Sequence, residues 1–232
     1  MPVIHDAAPL LHCPVGRRPG PPRYRPGVTG ASSSARRPGR PARYRLEELL
    51  AVVAAEFNTR GYDATSMEDL ARATGLTKSS IYHHVAGKEE LLRLAVARAV
   101  DALFAVLDEP AATTGPAVAR LEHVVRRGVE VLAEQLPYVT LLLRVRGNTG
   151  AEQWALERRR EFDKRLSALV QAAIDEGDVR ADLDPRLVTR LLFGAVNSVA
   201  EWFRPDGGPE VREVADTLVG MAFGGLARPR AG

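Results

Sequence analysis

The sequence predicts an all-α chain, with a small N-terminal head of three helices followed by a larger helical body. Three observations predict it. Apolar residues recur at three- and four-residue intervals from Arg45 almost to the end, caps and glycine stops punctuate that rhythm, and two short helical segments meet at the tight turn Ala73-Thr74-Gly75-Leu76. The 232 residues are 45% apolar and 26% charged, the balance of a folded chain rather than a collagen-like or wholly disordered one. No apolar run approaches the ~18 residues a membrane span needs, and no basic-then-apolar leader opens the chain. The expectation is a cytoplasmic protein without a membrane partner. Cys13 is the single cysteine, so neither an internal disulfide nor a cysteine-based zinc site is expected, and no cofactor is called for.

The formal net charge of +3 is unevenly placed. Residues 1–42 hold seven arginines against one aspartate, among many prolines and glycines and without apolar periodicity. This stretch reads as a disordered basic arm. It either touches nucleic-acid phosphates or a minor groove, or it is a solvated tail or an extension from a misplaced start codon.

The first helix follows from Leu46, Leu49, Leu50, Val53, Ala54 and Phe57, which share one stripe up to Arg60, where Gly61 supplies a left-handed stop. Thr65-Ser66-Met67-Glu68 reads as a capping box in which the Thr65 hydroxyl and Glu68 open the second helix. After the turn, Thr77 caps a third helix through Lys78, Ser79, Ser80, Ile81, Tyr82, His83 and His84. Two short helices about a glycine-containing turn describe a helix-turn-helix, placed at residues 66–85. Ile81 and Val85 are needed inside. The rest of the third helix offers hydroxyls, a cation and an imidazole, groups suited to phosphate oxygens and base edges. His83 and His84 diverge by ~100° on a helix and do not chelate one ion, so no metal is expected.

The run from Phe57 through Gly61-Tyr62 and Thr65 to Ala71, then Ala73 to His84, then Gly87-Lys88-Glu89-Glu90-Leu91, resembles the N-terminal domain of TetR/AcrR-type transcriptional regulators. Val85 stands where that family usually has Phe, which should loosen packing under the third helix. The resemblance implies that Thr65 and Lys88 hold backbone phosphates, and that Thr77, Lys78, Ser79, Ser80, Tyr82 and His83 form the surface that reads double-stranded operator DNA.

The fourth helix runs from Lys88 to about Leu107, long enough to bridge head and body, and the prolines from Pro110 to Pro116 stop it. Further stripes cover 117–135, 137–146 and 151–176. Two last segments, one carrying Leu191, Ala195, Val199 and Trp202 and one carrying Val214, Leu218 and Ala222, suit self-association, and the resemblance implies that they pair with a second copy as a four-helix bundle. This divides the chain into the arm (1–42), a DNA-binding head (43–103) and a ligand-binding and dimerisation body (104–226).

Candidate pocket residues are Tyr138, Leu141, Leu142, Trp154, Phe162 and Phe193, with Arg144, Arg146 and Asn148 at the mouth; large apolar side chains at such spacing also serve simply as core. The stretches Arg144–Asn148, Glu157–Asp163 and Glu201–Pro205 are similar to the C-terminal part of TetR-type members that respond to acyl-CoA thioesters. A neutral hydrophobic effector is the alternative. No Gly-x-Ser-x-Gly or His-Glu-x-x-His occurs, so an enzyme is not expected. The reading is a ligand-responsive regulator, a repressor by the family's usual sign; its competitor is a nonspecific nucleic-acid-binding module driven by the arm. Deleting residues 1–42 separates the two. A regulator keeps saturable binding to a near-palindromic site in a gel shift, whereas the competitor loses its binding along with its steep salt dependence.

Overall fold

The computed structural model describes residues 42–224; the basic arm and Cys13 lie outside these described residues. Ten α-helices follow one another with no strand among them: α1 (Ala42–Arg60), α2 (Met67–Thr74), α3 (Lys78–Tyr82), α4 (Lys88–Leu107), α5 (Pro110–Thr113), α6 (Ala117–Glu134), α7 (Leu136–Arg144), α8 (Gly150–Asp175), α9 (Pro185–Trp202) and α10 (Val211–Val219), closed by a π-helical turn over Gly220–Gly224. Helix-forming stripes give these elements, and the caps set their ends. Gly61 leaves α1 at φ 89° and Gly75 leaves α2 at φ 69°, both in the region that only glycine adopts cheaply.

Several boundaries differ from those expected. The first helix starts at Ala42, within the segment assigned to the arm, and the third stops at Tyr82, two residues early, because His83 and His84 turn the chain toward α4. The proline stretch after α4 itself forms the single turn α5, opened by Pro110 at its first position. The last stripe does not continue as α-helix to Phe223. It widens to a π turn from Gly220, so Ala222 sits on that turn.

The head packs α1, α2 and α3 around Phe57, Leu70 and Ile81, all buried, with Val85 buried beneath them. Phe57 meets Tyr62 edge to face at 5.3 Å. α4 runs out of the head into the body, burying Leu91, Leu92, Ala95 and Val96 near one end and Val100 and Phe104 near the other. In the body, α6 lies against α4, α8, α9 and α10. The α6–α9 approach is close at Gly128, where an added Cβ would rest 3.5 Å from the Phe193 ring.

Head and body are also tied by hydrogen bonds. Asn58, near the end of α1, holds both ends of α7: its Nδ2 donates to the Pro137 carbonyl at 2.7 Å, and its own carbonyl accepts from the Arg144 guanidinium at 2.5 Å. Glu89, in the first turn of α4, accepts from the Ala151 N–H at 3.0 Å and so satisfies the start of α8. Further along α4, Arg98 donates to Gln135 at 2.9 Å and lies over the Tyr138 ring. Replacing Phe57 with Ala leaves a cavity at the centre of the head. The expected cost is ~3–5 kcal/mol of unfolding free energy, read as a shift in the urea midpoint with the m-value unchanged.

Candidate nucleic-acid interface and effector cavity

The second helix is opened by Ser66, not by Thr65. Ser66 has extended backbone and accepts from the Asp69 N–H, while the Asp69 carboxylate accepts from the Ser66 N–H at 3.0 Å and its hydroxyl at 2.6 Å. The expected Thr65–Glu68 box is therefore shifted by one residue. The hydrogen bonds from Ser66 hold the Asp69 carboxyl below the usual range. Thr65 is instead buried, its hydroxyl donating to the Gly61 carbonyl at 2.7 Å, which corrects its expected role as the cap.

Thr77 opens α3, its hydroxyl oxygen accepting from the Ser80 N–H at 3.1 Å and leaving its own proton free to donate outward. Lys78, Ser79, Tyr82 and His83 are exposed, Ser80 is half-buried, and Ile81 alone points into the core. Tyr82 keeps 49% of its surface in solvent with its apolar ring uncovered, which is unusual for a side chain with no outside partner. Lys78 is ion-paired with Glu68 across the α2–α3 angle. That hydrogen bond raises the Lys78 ammonium and lowers the Glu68 carboxyl from their ordinary ranges, so both stay charged. Lys88, at the start of α4, donates to the Tyr62 carbonyl at 2.9 Å and lies over the Tyr62 ring, which leaves two ammonium protons unassigned. The arrangement is a convex face carrying hydroxyls, cations and one exposed phenol.

The expected pocket residues fall into separate places. Leu142, Phe162 and Phe193 line a cavity of about 50 Å³ enclosed by α4, α7, α8 and α9. Its aromatic wall is a chain of edge-to-face contacts, Phe104 to Phe162 at 5.7 Å and Phe162 to Phe193 at 5.1 Å. The guanidinium of Arg158 lies 3.9 Å over Phe104, and Asp163 and Asn197 complete a polar edge. Leu141, Arg144, Arg146 and Asn148 are instead on a second cavity of about 300 Å³, between the end of α1 and the α7–α8 turn. There Glu152, buried, accepts from the N–H groups of Gly147 and Asn148 at 2.8 and 2.7 Å. Tyr138 packs under Arg98 and Trp154 against the core, and neither lines these cavities. The physical reason is the narrowness of α7: Leu142 and Leu141 are ~100° apart, so one faces the body and the other the head. Arg158 and Asp163 lie in the Glu157–Asp163 stretch singled out above without being named as pocket residues, because a charged run reads equally well as a solvated helix face, and Asn197 was not foreseen.

The expected self-association stripe is also divided. Leu191 and Trp202 are exposed at 66% and 49%, Ala195 and Leu218 are half-buried, and Ala222 is exposed. Val199 and Val214 are buried within the chain, at the base of a groove between α9 and α10 that Ala195, Trp202, Leu218 and Met221 also line. With Leu187 and Met221, also exposed, the outward residues leave a large apolar face along α9, α10 and the π turn. Among the described residues, no group of three or more potential metal ligands occurs and no helix is long and apolar enough to cross a membrane.

Residues 49–95 match the family model described as bacterial regulatory proteins of the tetR family, and residues 114–226 match that of the tetracyclin repressor-like C-terminal domain. The chain is similar to the HTH-type transcriptional repressor KstR2 of Rhodococcus jostii (strain RHA1), 29% identical over 188 residues that cover 80% of this chain and 92% of the relative. Among solved structures it is similar to SCO3833 of Streptomyces coelicolor A3, a member of the TetR transcriptional regulator family, at 62% identity and a TM-score of 0.74, covering 78% of this chain and 91% of that one. It is also similar to AibR in complex with isovaleryl coenzyme A and operator DNA, at 26% identity and a TM-score of 0.68, covering 77% and 98%. For the helix that precedes the exposed face, Ser66→Ala removes the cap. It is expected to cost ~1 kcal/mol in chemical denaturation at neutral pH. The part that runs through the Asp69 carboxylate is fully present above the ordinary aspartate range and is lost as the pH falls below that range through the depressed folded-state value.

Proposed function

This chain belongs to the TetR family of transcriptional regulators, which are not enzymes, and from that premise we propose that it is a repressor that binds a palindromic operator as a homodimer and is released by a small hydrophobic effector, an acyl-CoA thioester being the favoured class. Residues 43–103 serve as the DNA-binding head and 104–226 as the effector and dimerisation body. The observation that carries the reading is the exposed row on α3, where Thr77, Lys78, Ser79, Tyr82 and His83 face outward around one buried residue, Ile81.

In this reading Lys78 leaves Glu68 to meet a base edge or phosphate, Tyr82 and Thr77 hold the backbone, and Lys88 adds a phosphate contact with the protons it does not give to Tyr62. Two copies join through the outward residues of α9 and α10, which sets two α3 helices about one DNA turn, roughly 34 Å, apart or a multiple of it. The effector enters the aromatic cavity. At about 50 Å³ that space accepts even a short branched acyl group only when Arg158 and the Phe104 ring move aside. Because α7 supplies Val139, Leu142 and Leu143 to the cavity and is held at both ends by Asn58, widening the cavity turns α1 together with α4 and changes the spacing of the two recognition helices. The relation to AibR, a protein solved with isovaleryl coenzyme A, supports the thioester class; the apolar majority of the lining, Val100, Leu103, Phe104, Val139, Leu142 and Phe162 among it, supports a neutral hydrophobic compound as the second reading.

The test is a gel shift on DNA flanking the chain's own gene, at ~150 mM salt with excess nonspecific competitor, followed by a panel of acyl-CoA thioesters and the free acids. A competitor-resistant shift released by one thioester is the expected result. Tyr82→Ala and Lys88→Ala are each expected to weaken the complex tenfold or more while the dimer persists in size-exclusion chromatography. A variant that keeps wild-type affinity overturns the assignment at that position, and a resistant shift untouched by every thioester overturns the effector class.

A further inference from the structure

Another cavity of the described body is larger than the aromatic one. It is a cleft of about 870 Å³ between the second half of α8 and the start of α9. Its floor is neutral: the Ser167 hydroxyl donates to Thr189 at 3.2 Å, and Thr189, buried, donates on to the Pro185 carbonyl at 2.8 Å. Its walls are cationic. Arg160 and Lys164 rise from α8, and Arg186 and Arg190 face them from α9.

Some arginines elsewhere on the chain find carboxylates. Arg60 meets Glu56, Arg126 meets Asp216, Arg127 meets Glu109 and Glu130, Arg165 meets Glu161 and Arg180 meets Asp182. Among the described residues, none of the four cleft cations makes such an ion pair. The two aspartates of the cleft offset part of this charge, four cations against two carboxylates, and leave a formal excess of two. Asp184 accepts from the N–H groups of Arg186 and Leu187, at 2.7 and 3.2 Å, where it caps α9. Asp163, exposed, lies near Arg159 and Arg190. Like charges gathered on facing walls of a concave surface focus a positive potential into the space between them, which favours an anion of matching charge.

We propose that the α8–α9 cleft is an anion-binding site for a small molecule carrying two or more phosphate charges, held between Arg160 and Lys164 on one wall and Arg186 and Arg190 on the other. Guanidinium groups donate to phosphate oxygens in pairs, and an ammonium adds a point charge, so a pyrophosphate group suits this set better than a single carboxylate does. Asp163 lines both the cleft and the aromatic cavity, which therefore lie side by side along α8. A ligand with a hydrocarbon end and a phosphorylated end spans the two when the Asp163 side chain turns aside. That last step extends the reading of the aromatic cavity as the effector site; the anion site itself stands without it.

The test is isothermal titration calorimetry on the full chain in a phosphate-free buffer at ~0.15 M salt, with inorganic pyrophosphate, ADP and acyl-free coenzyme A as probes and acetate as the control anion. Saturable binding of the phosphorylated probes and none of acetate is expected. Arg160→Ala and Arg190→Ala, both on exposed side chains, are each expected to lower the affinity tenfold or more, and Arg190→Lys to recover part of it. Circular dichroism checks that each variant is folded, and Lys164→Ala replaces any that is not. Absence of binding by all three probes at millimolar concentration overturns the proposal, as does binding that the variants leave unchanged. No DNA is present in the titration, so a failure here and a failure of the operator reading are distinct results.

Discussion

A head of three short helices cannot bury enough apolar surface to stand alone, and this constraint shapes the rest of the chain. α4 answers it by serving two cores at once. Its first half closes the head through Leu91, Leu92, Ala95 and Val96, and its second half enters the body through Val100 and Phe104. The same helix that stabilises the reading surface therefore also lines the aromatic cavity. Stability of the one and occupancy of the other are linked through a single rigid element, which is the physical requirement for an effector to be felt at DNA.

Polar contacts divide between two tasks. Inside the head and at the head–body junction many are committed to main-chain partners: Thr65 to Gly61, Lys88 to Tyr62, Glu89 to Ala151, Glu152 to the α7–α8 turn. On the outer face of α3 and in the α8–α9 cleft they are left open or held by exchangeable partners, as with Lys78 and Glu68. Committed groups fix geometry, whereas open ones have capacity left for a ligand.

Much of this was legible in the residues, and the limits of legibility are physical. Phe57, Leu70 and Ile81 announce the head because helical periodicity assigns a face, and Gly61 and Gly75 announce its turns because positive φ calls for glycine. Which of two adjacent hydroxyls caps a helix is not set by periodicity, and Ser66 took the place expected of Thr65 once Thr65 was drawn inward by the Gly61 carbonyl. The pocket was harder still. A stripe says that Leu141 and Leu142 are apolar but not which neighbour each meets, and α7 sends one toward the head and the other toward the body. The cleft cations were invisible as a group, since Arg160 and Arg190 are thirty residues apart and become neighbours only through the antiparallel packing of α8 and α9.

The clasp at Asn58 has an asymmetry with a bearing on how such a chain drifts under mutation. Its contact with Pro137 depends on the side chain, but its contact with Arg144 is accepted by a main-chain carbonyl that every residue type supplies. A change at position 58 therefore severs one strap and leaves the other, and only a change at position 144 severs the second. The link between head and body at this point thus keeps one of its two hydrogen bonds whatever residue stands at position 58.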